Sequence, residues 1–170
     1  MITVGVVIDV PEPIAGTITV ARRSWGDPEA DIIPPHVTLV APVSLDPEAL
    51  PAVEEHIARA CAGAEPFRVR LRGTATFRPV SPVVFLPLAE GISGCELLET
   101  ALRTGPLAID LRFPYHPHVT IAAELAEDAL DQAFVALAGF DEHFSVDRVA
   151  LYSLEPTGWV RRREYTVGAA

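Results

Sequence analysis

Residues 35–39 read Pro35-His36-Val37-Thr38-Leu39, and residues 117–121 read Pro117-His118-Val119-Thr120-Ile121. The core Pro-His-Val-Thr therefore occurs twice in a chain of 170 residues. In both copies an acidic helix start, an apolar helix and a Phe-x-Val strand follow in the same order, so the motif-bearing repeats cover about residues 33–78 and 115–155. A solenoid needs about three or more repeats. Two copies instead predict two repeat-related lobes that face each other.

Each motif is predicted to lie on a β-strand. Because successive side chains of a strand point to opposite faces, His36 and Thr38 share one face while Val37 faces the core. His118 and Thr120 repeat this arrangement in the second copy. If the lobes face each other, two imidazoles and two hydroxyls meet in one cleft.

These side chains suit the hydrolysis of a cyclic phosphodiester. One group must deprotonate water and another must protonate the leaving oxygen, and histidine is the side chain whose ordinary pKa allows both near neutral pH. Threonine hydroxyls can donate hydrogen bonds to the non-bridging oxygens, where negative charge develops in the transition state. Neither role requires a metal ion.

The paired motifs His36-Val37-Thr38-Leu39 and His118-Val119-Thr120-Ile121 resemble the duplicated H-x-T-hydrophobic signature of the 2H phosphoesterase superfamily. Within it the chain is most similar to the 2′-5′ RNA ligase / RNA 2′,3′-cyclic phosphodiesterase family. The resemblance implies a bilobal, pseudo-twofold α+β fold with two antiparallel sheets around a central cleft and helices outside. It also implies metal-independent hydrolysis of 2′,3′-cyclic phosphates of RNA ends or nucleotides to 2′-phosphates, with 2′-5′ RNA ligation in some members.

The resemblance also implies roles for the motif residues. By motif position, His36 is the proton donor and His118 the proton acceptor, while Thr38 and Thr120 hold the phosphate. No cofactor is implied. A non-catalytic module that binds a nucleotide or an RNA end on the same fold is the alternative.

Three further residues are candidates for substrate binding. Tyr115 lies close to His118 in sequence and could stack on a base. Arg70 and Arg72 share one face of a predicted strand, where they form either a cationic wall for phosphate or a solvated sheet face. Phe77, Tyr152 and Trp159 could also stack on a base, although aromatic residues at strand ends more often belong to the core.

A metal site is the alternative use of the histidines. His116 lies two residues before His118 and shares its predicted face, so His36, His116 and His118 could together form a three-histidine zinc site. This interpretation leaves both motif threonines unexplained. We therefore expect no metal ligand among these residues.

Composition limits the class of protein and its partners. The formal net charge is −10, which argues against a long nucleic acid because such binding depends on many phosphate contacts. No apolar run reaches the ~18–20 residues that cross a bilayer, and residues 1–10 lack the basic start of a signal peptide. We expect one domain over residues 1–170, cytoplasmic and by default monomeric, acting on a small cyclic-phosphate nucleotide or an RNA terminus.

Hydrophobic patterning and turn residues predict the remaining elements. Strands are expected at residues 2–9, 36–43, 67–77, 83–88, 118–123, 143–154 and 159–167. Helices are expected at about residues 11–25, 47–62, 96–104 and 127–138.

Overall fold

The computed structural model describes residues 1–168, which form nine strands and four α-helices. The strands are β1 (Ile2–Asp9), β2 (His36–Leu45), β3 (Phe67–Arg72), β4 (Ala75–Thr76), β5 (Val83–Glu90), β6 (His118–Ala123), β7 (Asp141–Val146), β8 (Arg148–Glu155) and β9 (Gly158–Thr166). The helices are α1 (Ile14–Ser24), α2 (Leu50–Ala62), α3 (Ile92–Leu102) and α4 (Glu127–Ala136). Short 3-10 helices occupy Pro47–Ala49 and Gly105–Leu107.

The strands pair in the order β7-β3-β5-β6-β2-β1-β8-β9, with β4 beside β5, and every pair is antiparallel. One registered pair, Val37 with Val119, joins the two motif strands β2 and β6. The sheet therefore consists of two halves, β2-β1-β8-β9 and β6-β5-β3-β7, that meet at this pair. The predicted α+β class is confirmed, and the two predicted sheets are connected into one.

The two halves repeat the same register around their motif strands. In the first half, β1 places Asp9 opposite His36. In the second half, β5 places Pro87 opposite His118. The repeat seen in the sequence is therefore a structural repeat, with Asp9 and Pro87 at equivalent positions.

The alternation of side chains divides the sheet into two faces. On the helix face, Val37, Val119 and Ile121 are fully buried and Leu39 is almost so. These residues belong to the main hydrophobic core. On the opposite face, which we call the cleft face, the motif histidines and threonines remain partly accessible.

Helix α2 shows how the sequence builds the outer layer. The Asp46 carboxylate accepts a hydrogen bond from the Glu48 amide at 2.9 Å and so caps the 3-10 turn that leads into the helix. Val53, Ile57 and Cys61 then follow at four-residue intervals and are fully buried. This spacing gives the helix one apolar stripe, which packs on the core.

Some predicted boundaries were wrong. The single strand predicted over residues 143–154 is two strands, because the chain leaves the second half of the sheet after β7 and enters the first half with β8. The strand predicted over residues 67–77 is interrupted at Gly73, whose φ is +69°. Helix α3 begins at Ile92, directly after Gly91. No helix within residues 1–168 is long and apolar enough to cross a membrane.

Candidate active site

The pairing of Val37 with Val119 determines how the two motifs meet. In an ideal antiparallel register centred on this pair, Thr38 lies opposite His118 and Thr120 lies opposite His36. The two histidines are then diagonal neighbours, ~7–8 Å apart at the backbone. All four side chains lie on the cleft face, so the fold brings both repeats to one place.

Each motif imidazole is oriented by a backbone carbonyl two residues earlier in the chain. Nδ1 of His36 lies 2.8 Å from the carbonyl oxygen of Pro34, and Nδ1 of His118 lies 2.6 Å from that of His116. A carbonyl oxygen only accepts hydrogen bonds, so Nδ1 carries the proton in both rings. Nε2 of each ring is therefore the nitrogen that gains and loses a proton.

Burial lowers the pKa of both imidazoles, but their other surroundings differ. For His36, the Pro34 carbonyl and the negative charge of Asp9 oppose this shift, while Arg22 adds to it. For His118, the His116 carbonyl opposes the shift, while the charges of His116 and His36 add to it. The charge of His36 therefore contributes to the lowered pKa of His118.

A cavity of about 260 Å³ opens onto three of the four motif side chains, and His118 is not among its lining residues. His36, Thr38 and Thr120 all line it. From there it extends across the cleft face of the first half of the sheet toward Trp159. Both predicted phosphate-binding hydroxyls thus share one cavity with a motif histidine.

Asp9 is a feature of the site that the sequence interpretation missed. It ends β1 opposite His36, lines the cavity, and accepts hydrogen bonds from the Tyr152 hydroxyl at 3.0 and 3.2 Å. Nη1 of Arg161 lies 3.6 Å from the same carboxylate. Burial raises the pKa of Asp9, whereas Tyr152 and Arg161 lower it. The signal in the sequence is that Asp9 is the only charged residue of its strand.

Tyr115 does not have the environment expected of a base-stacking residue. Its hydroxyl donates a hydrogen bond to the backbone carbonyl of Thr38 at 2.9 Å, and its ring packs against the main core. It is not among the residues that line the cavity. Tyr115 instead ties the segment before β6 to β2, and so fixes one motif strand relative to the other.

The positions of Arg70 and Arg72 agree with the solvated sheet face, which is one of the two alternatives for these arginines, rather than with a wall of the cavity. The Arg70 guanidinium donates two hydrogen bonds to the Asp141 carboxylate, at 2.8 and 2.7 Å, and Arg72 lies 4.0 Å from it. Both arginines lie on β3, beside β7, and neither lines the cavity. The cation that does line it is Arg22 of α1, which is itself bonded to Asp27 at 2.7 Å.

The alternative three-histidine metal site does not form. Within residues 1–168 no three His, Cys, Asp or Glu side chains come together as a ligand set. The ring of His116 instead packs edge-on against Phe77 and Phe85, with centroid distances of 5.5 and 5.4 Å. His116 therefore belongs to an aromatic cluster beside His118.

Comparison with known proteins places the chain in a family. A model of the 2′-5′ RNA ligase superfamily matches residues 10–158, which contain both motifs. The chain belongs to the 2′-5′ RNA ligase superfamily. The resemblance to 2H phosphoesterases predicted from the motifs is thereby confirmed.

Relatives of this superfamily member cover most of its length. Two proteins named "Putative phosphoesterase" are similar to it. The one from Oceanobacillus iheyensis is 30% identical over 151 residues, which are 87% of this chain and 88% of the relative. The one from Halalkalibacterium halodurans is 31% identical over 145 residues, or 84% of each chain.

Solved structures confirm the fold of this 2′-5′ RNA ligase superfamily member. E. coli LigT complexed with 3′-AMP matches with a TM-score of 0.72 and 22% identity over 98% of both chains. The protein TT0787 of Thermus thermophilus matches with a TM-score of 0.68 and 21% identity over 99% of this chain and all of the other. At these identities the similarity establishes the fold alone.

Proposed function

We propose that this protein hydrolyses the 2′,3′-cyclic phosphate of a nucleotide or an RNA end to the 2′-phosphate. The observation that carries the proposal is the pairing of the two motifs across Val37 and Val119, with both imidazoles oriented through Nδ1. The phosphoesterase names of the relatives and the 3′-AMP bound to E. coli LigT agree with a nucleotide phosphoester as substrate.

The proposed reaction needs two proton transfers. Nε2 of His118 takes a proton from water, whose oxygen forms a new bond to phosphorus. The bond from phosphorus to the ribose O3′ breaks, and Nε2 of His36 donates its proton to that oxygen. The hydroxyls of Thr38 and Thr120 donate hydrogen bonds to the non-bridging oxygens. The products are a 2′-phosphate and a free 3′-hydroxyl.

The unequal surroundings of the two imidazoles support the assignment of donor and acceptor. Asp9 faces His36, and its negative charge stabilises the protonated form of that ring. The equivalent position opposite His118 is Pro87, which carries no charge. The charge of Asp9 thus favours His36 as the ring that starts protonated, while the lack of a charge at Pro87 suits a neutral His118, in agreement with the roles implied by the motif order.

Charge favours a small nucleotide over an RNA chain as the substrate. The net charge is −10, and among residues 1–168 the cavity is lined by the carboxylates of Asp9, Asp27 and Glu29 but only one cation, Arg22. A chain of phosphates would meet repulsion along this lining. A mononucleoside cyclic phosphate presents one phosphate, which the motif residues can bind.

Incubation of the purified protein with adenosine 2′,3′-cyclic phosphate should yield the 2′-phosphate as the product. Neither proposed proton transfer uses a metal, so we expect an excess of EDTA to leave the rate unchanged. Product formation is followed by ³¹P NMR, which separates the 2′- from the 3′-phosphate. Ligand-induced thermal stabilisation without turnover, across all four nucleoside cyclic phosphates, would instead support the non-catalytic binding module.

The Asp9→Asn variant should shift the pH profile in a defined direction. Removing this negative charge lowers the pKa of His36, so the donor loses its proton at a lower pH. We expect the alkaline limb of the bell-shaped kcat/KM profile to move to lower pH, while the acid limb, which depends on His118, moves less. Initial rates between pH 4 and pH 9 at constant ionic strength measure both limbs.

Other charged groups around His36 define the controls for this shift. Arg22 faces it from α1 and His118 from β6, and Asp9 is itself contacted by Tyr152 and Arg161. A Tyr152→Phe variant keeps the carboxylate and should shift the alkaline limb less than Asp9→Asn does. Asp128→Asn, on the exposed start of α4, makes the same charge change outside the cavity. An equal shift in Asp128→Asn would refute the local role of Asp9.

A further inference from the structure

The two halves of the cleft face are not equally open. Two residues along β1 from Asp9, Val7 lies opposite Thr38, and the equivalent residue of the second half, Phe85, lies opposite Thr120. The ring of Phe85 packs on that of Phe77, with centroids 4.2 Å apart. Aromatic rings thus cover the cleft face beside His118, whereas the small side chain of Val7 leaves space beside His36.

The open half continues from the motif residues to an aromatic side chain. Gly5 is the next residue of β1 on the cleft face, and a Cβ atom built there would lie 3.1 Å from the indole ring of Trp159. The benzo edge of the indole therefore contacts the glycine backbone. Tyr152 meets Trp159 edge to face at a centroid distance of 6.2 Å. Val40 and Pro42 complete an apolar end of the cavity.

The charges around this cavity restrict what it accepts. Arg22, the cation of its lining, is engaged by the Asp27 carboxylate and by the Ile33 carbonyl at 2.6 Å. The carboxylates of Asp9 and Glu29 leave the lining with an excess of negative charge. This excess of negative charge disfavours a second phosphate, so a neutral group with an apolar surface suits the apolar end better.

We propose that the open half of the cleft holds the nucleobase of a nucleoside 2′,3′-cyclic phosphate, which stacks on Trp159 while its phosphate lies between His36 and His118. This inference rests on the proposed function and adds a base-binding site to it. A nucleobase is neutral and planar, with apolar faces and a polar edge, which matches an indole surface bordered by carboxylates. Stacking on an aromatic ring tolerates every base.

The proposed base site is tested by comparing a substrate that has a nucleobase with one that lacks it. For adenosine 2′,3′-cyclic phosphate, the Trp159→Ala variant should have a KM about 5- to 100-fold higher than the unchanged protein. For glycerol 1,2-cyclic phosphate, which has no base, the same substitution should leave KM and kcat unchanged. Trp159→Phe keeps an aromatic surface and should restore most of the loss. Val160→Ala, one residue further on the other face of β9, is the matched control.

Fluorescence gives a measurement that does not depend on turnover. The chain has two tryptophans, and Trp25 is buried with its indole nitrogen bonded to the Ile121 carbonyl at 3.2 Å. Binding of adenosine 2′-phosphate should therefore quench the emission of Trp159, and the quenching should disappear in Trp159→Phe. Saturable quenching without hydrolysis would support the base site while refuting the proposed function.

Two results would overturn the base site. The first is that, for each of the two substrates, the Trp159→Ala variant has the same KM as the unchanged protein. The other is quenching by adenosine 2′-phosphate that persists in Trp159→Phe. Hydrolysis of the cyclic nucleotide in either case would leave the proposed function intact, so the two proposals fail separately.

Discussion

The His118→Ala variant should hydrolyse adenosine 2′,3′-cyclic phosphate about 10²- to 10⁴-fold more slowly than the unchanged protein, because a positioned general base contributes about this much. The loss should appear in kcat, since the imidazole acts on water rather than on the nucleoside. His36→Ala should lose a similar factor on this substrate, whose leaving group is a ribose hydroxyl that needs a proton.

A substrate whose leaving group needs no proton distinguishes the general acid from the general base. Nitrophenolate leaves without a proton, so an aryl phosphodiester such as bis(p-nitrophenyl) phosphate removes the need for a general acid. On that substrate His36→Ala should recover most of its lost rate, whereas His118→Ala should not. His143→Ala, an exposed histidine on β7, is the matched control. Recovery by His118→Ala instead would reverse the assignment, and full activity of either variant on the cyclic nucleotide would refute the mechanism.

The second large loss of activity is expected when the hydroxyl of Thr38 or Thr120 is removed. Valine has nearly the shape of threonine but no hydroxyl, so Thr38→Val and Thr120→Val each remove one hydrogen-bond donor with little change in packing. We expect each to lower kcat by about 10²- to 10³-fold, the usual cost of losing one donor to a developing negative charge. The corresponding serine variants keep the donor and should retain most activity.

Melting temperatures show whether a lower kcat of the valine variants results from the lost hydroxyl or from a less stable fold. Thr38 and Thr120 lie on the partly accessible cleft face, so the valine variants should melt close to the unchanged protein. Thr104→Val, at an exposed threonine whose hydroxyl is bonded to the Ala101 carbonyl, controls for the loss of a hydroxyl elsewhere. Unchanged kcat in both Thr38→Val and Thr120→Val would show that the hydroxyls do not contact the phosphate in the transition state.

Local patterns were sufficient to predict the motif strands. Apolar and polar side chains alternate at the start of residues 36–40 and 118–122, a pattern that neighbouring residues alone define. Both stretches form strands with the same burial pattern. The boundary between β7 and β8 could not be predicted in this way, because a strand-like pattern continues through Asp147. Which half of the sheet a strand joins depends on distant partners, Phe67–Arg72 for β7 and β1 for β8.

The side chains of the site whose partners the sequence did not reveal have distant partners as well. Arg70 looks like a free cation in the sequence, and its partner Asp141 is 71 residues away. Tyr115 looks like an exposed aromatic beside His118, yet its hydroxyl partner is the Thr38 carbonyl, 77 residues earlier. Asp9 gains its role only from the register of β1 on β2, which residue patterns do not specify. Each side chain's chemistry was evident, but its partner depended on tertiary structure.

The difference between Asp9 and Pro87 bears on why the two halves occupy a single polypeptide. A symmetric homodimer of half-length subunits would give both imidazoles identical neighbours, and only bound substrate could distinguish them. Fusion of the halves lets mutation alter one copy without the other. Under the proposed mechanism, a carboxylate beside only one of the two imidazoles would distinguish the proton donor from the acceptor before any substrate binds.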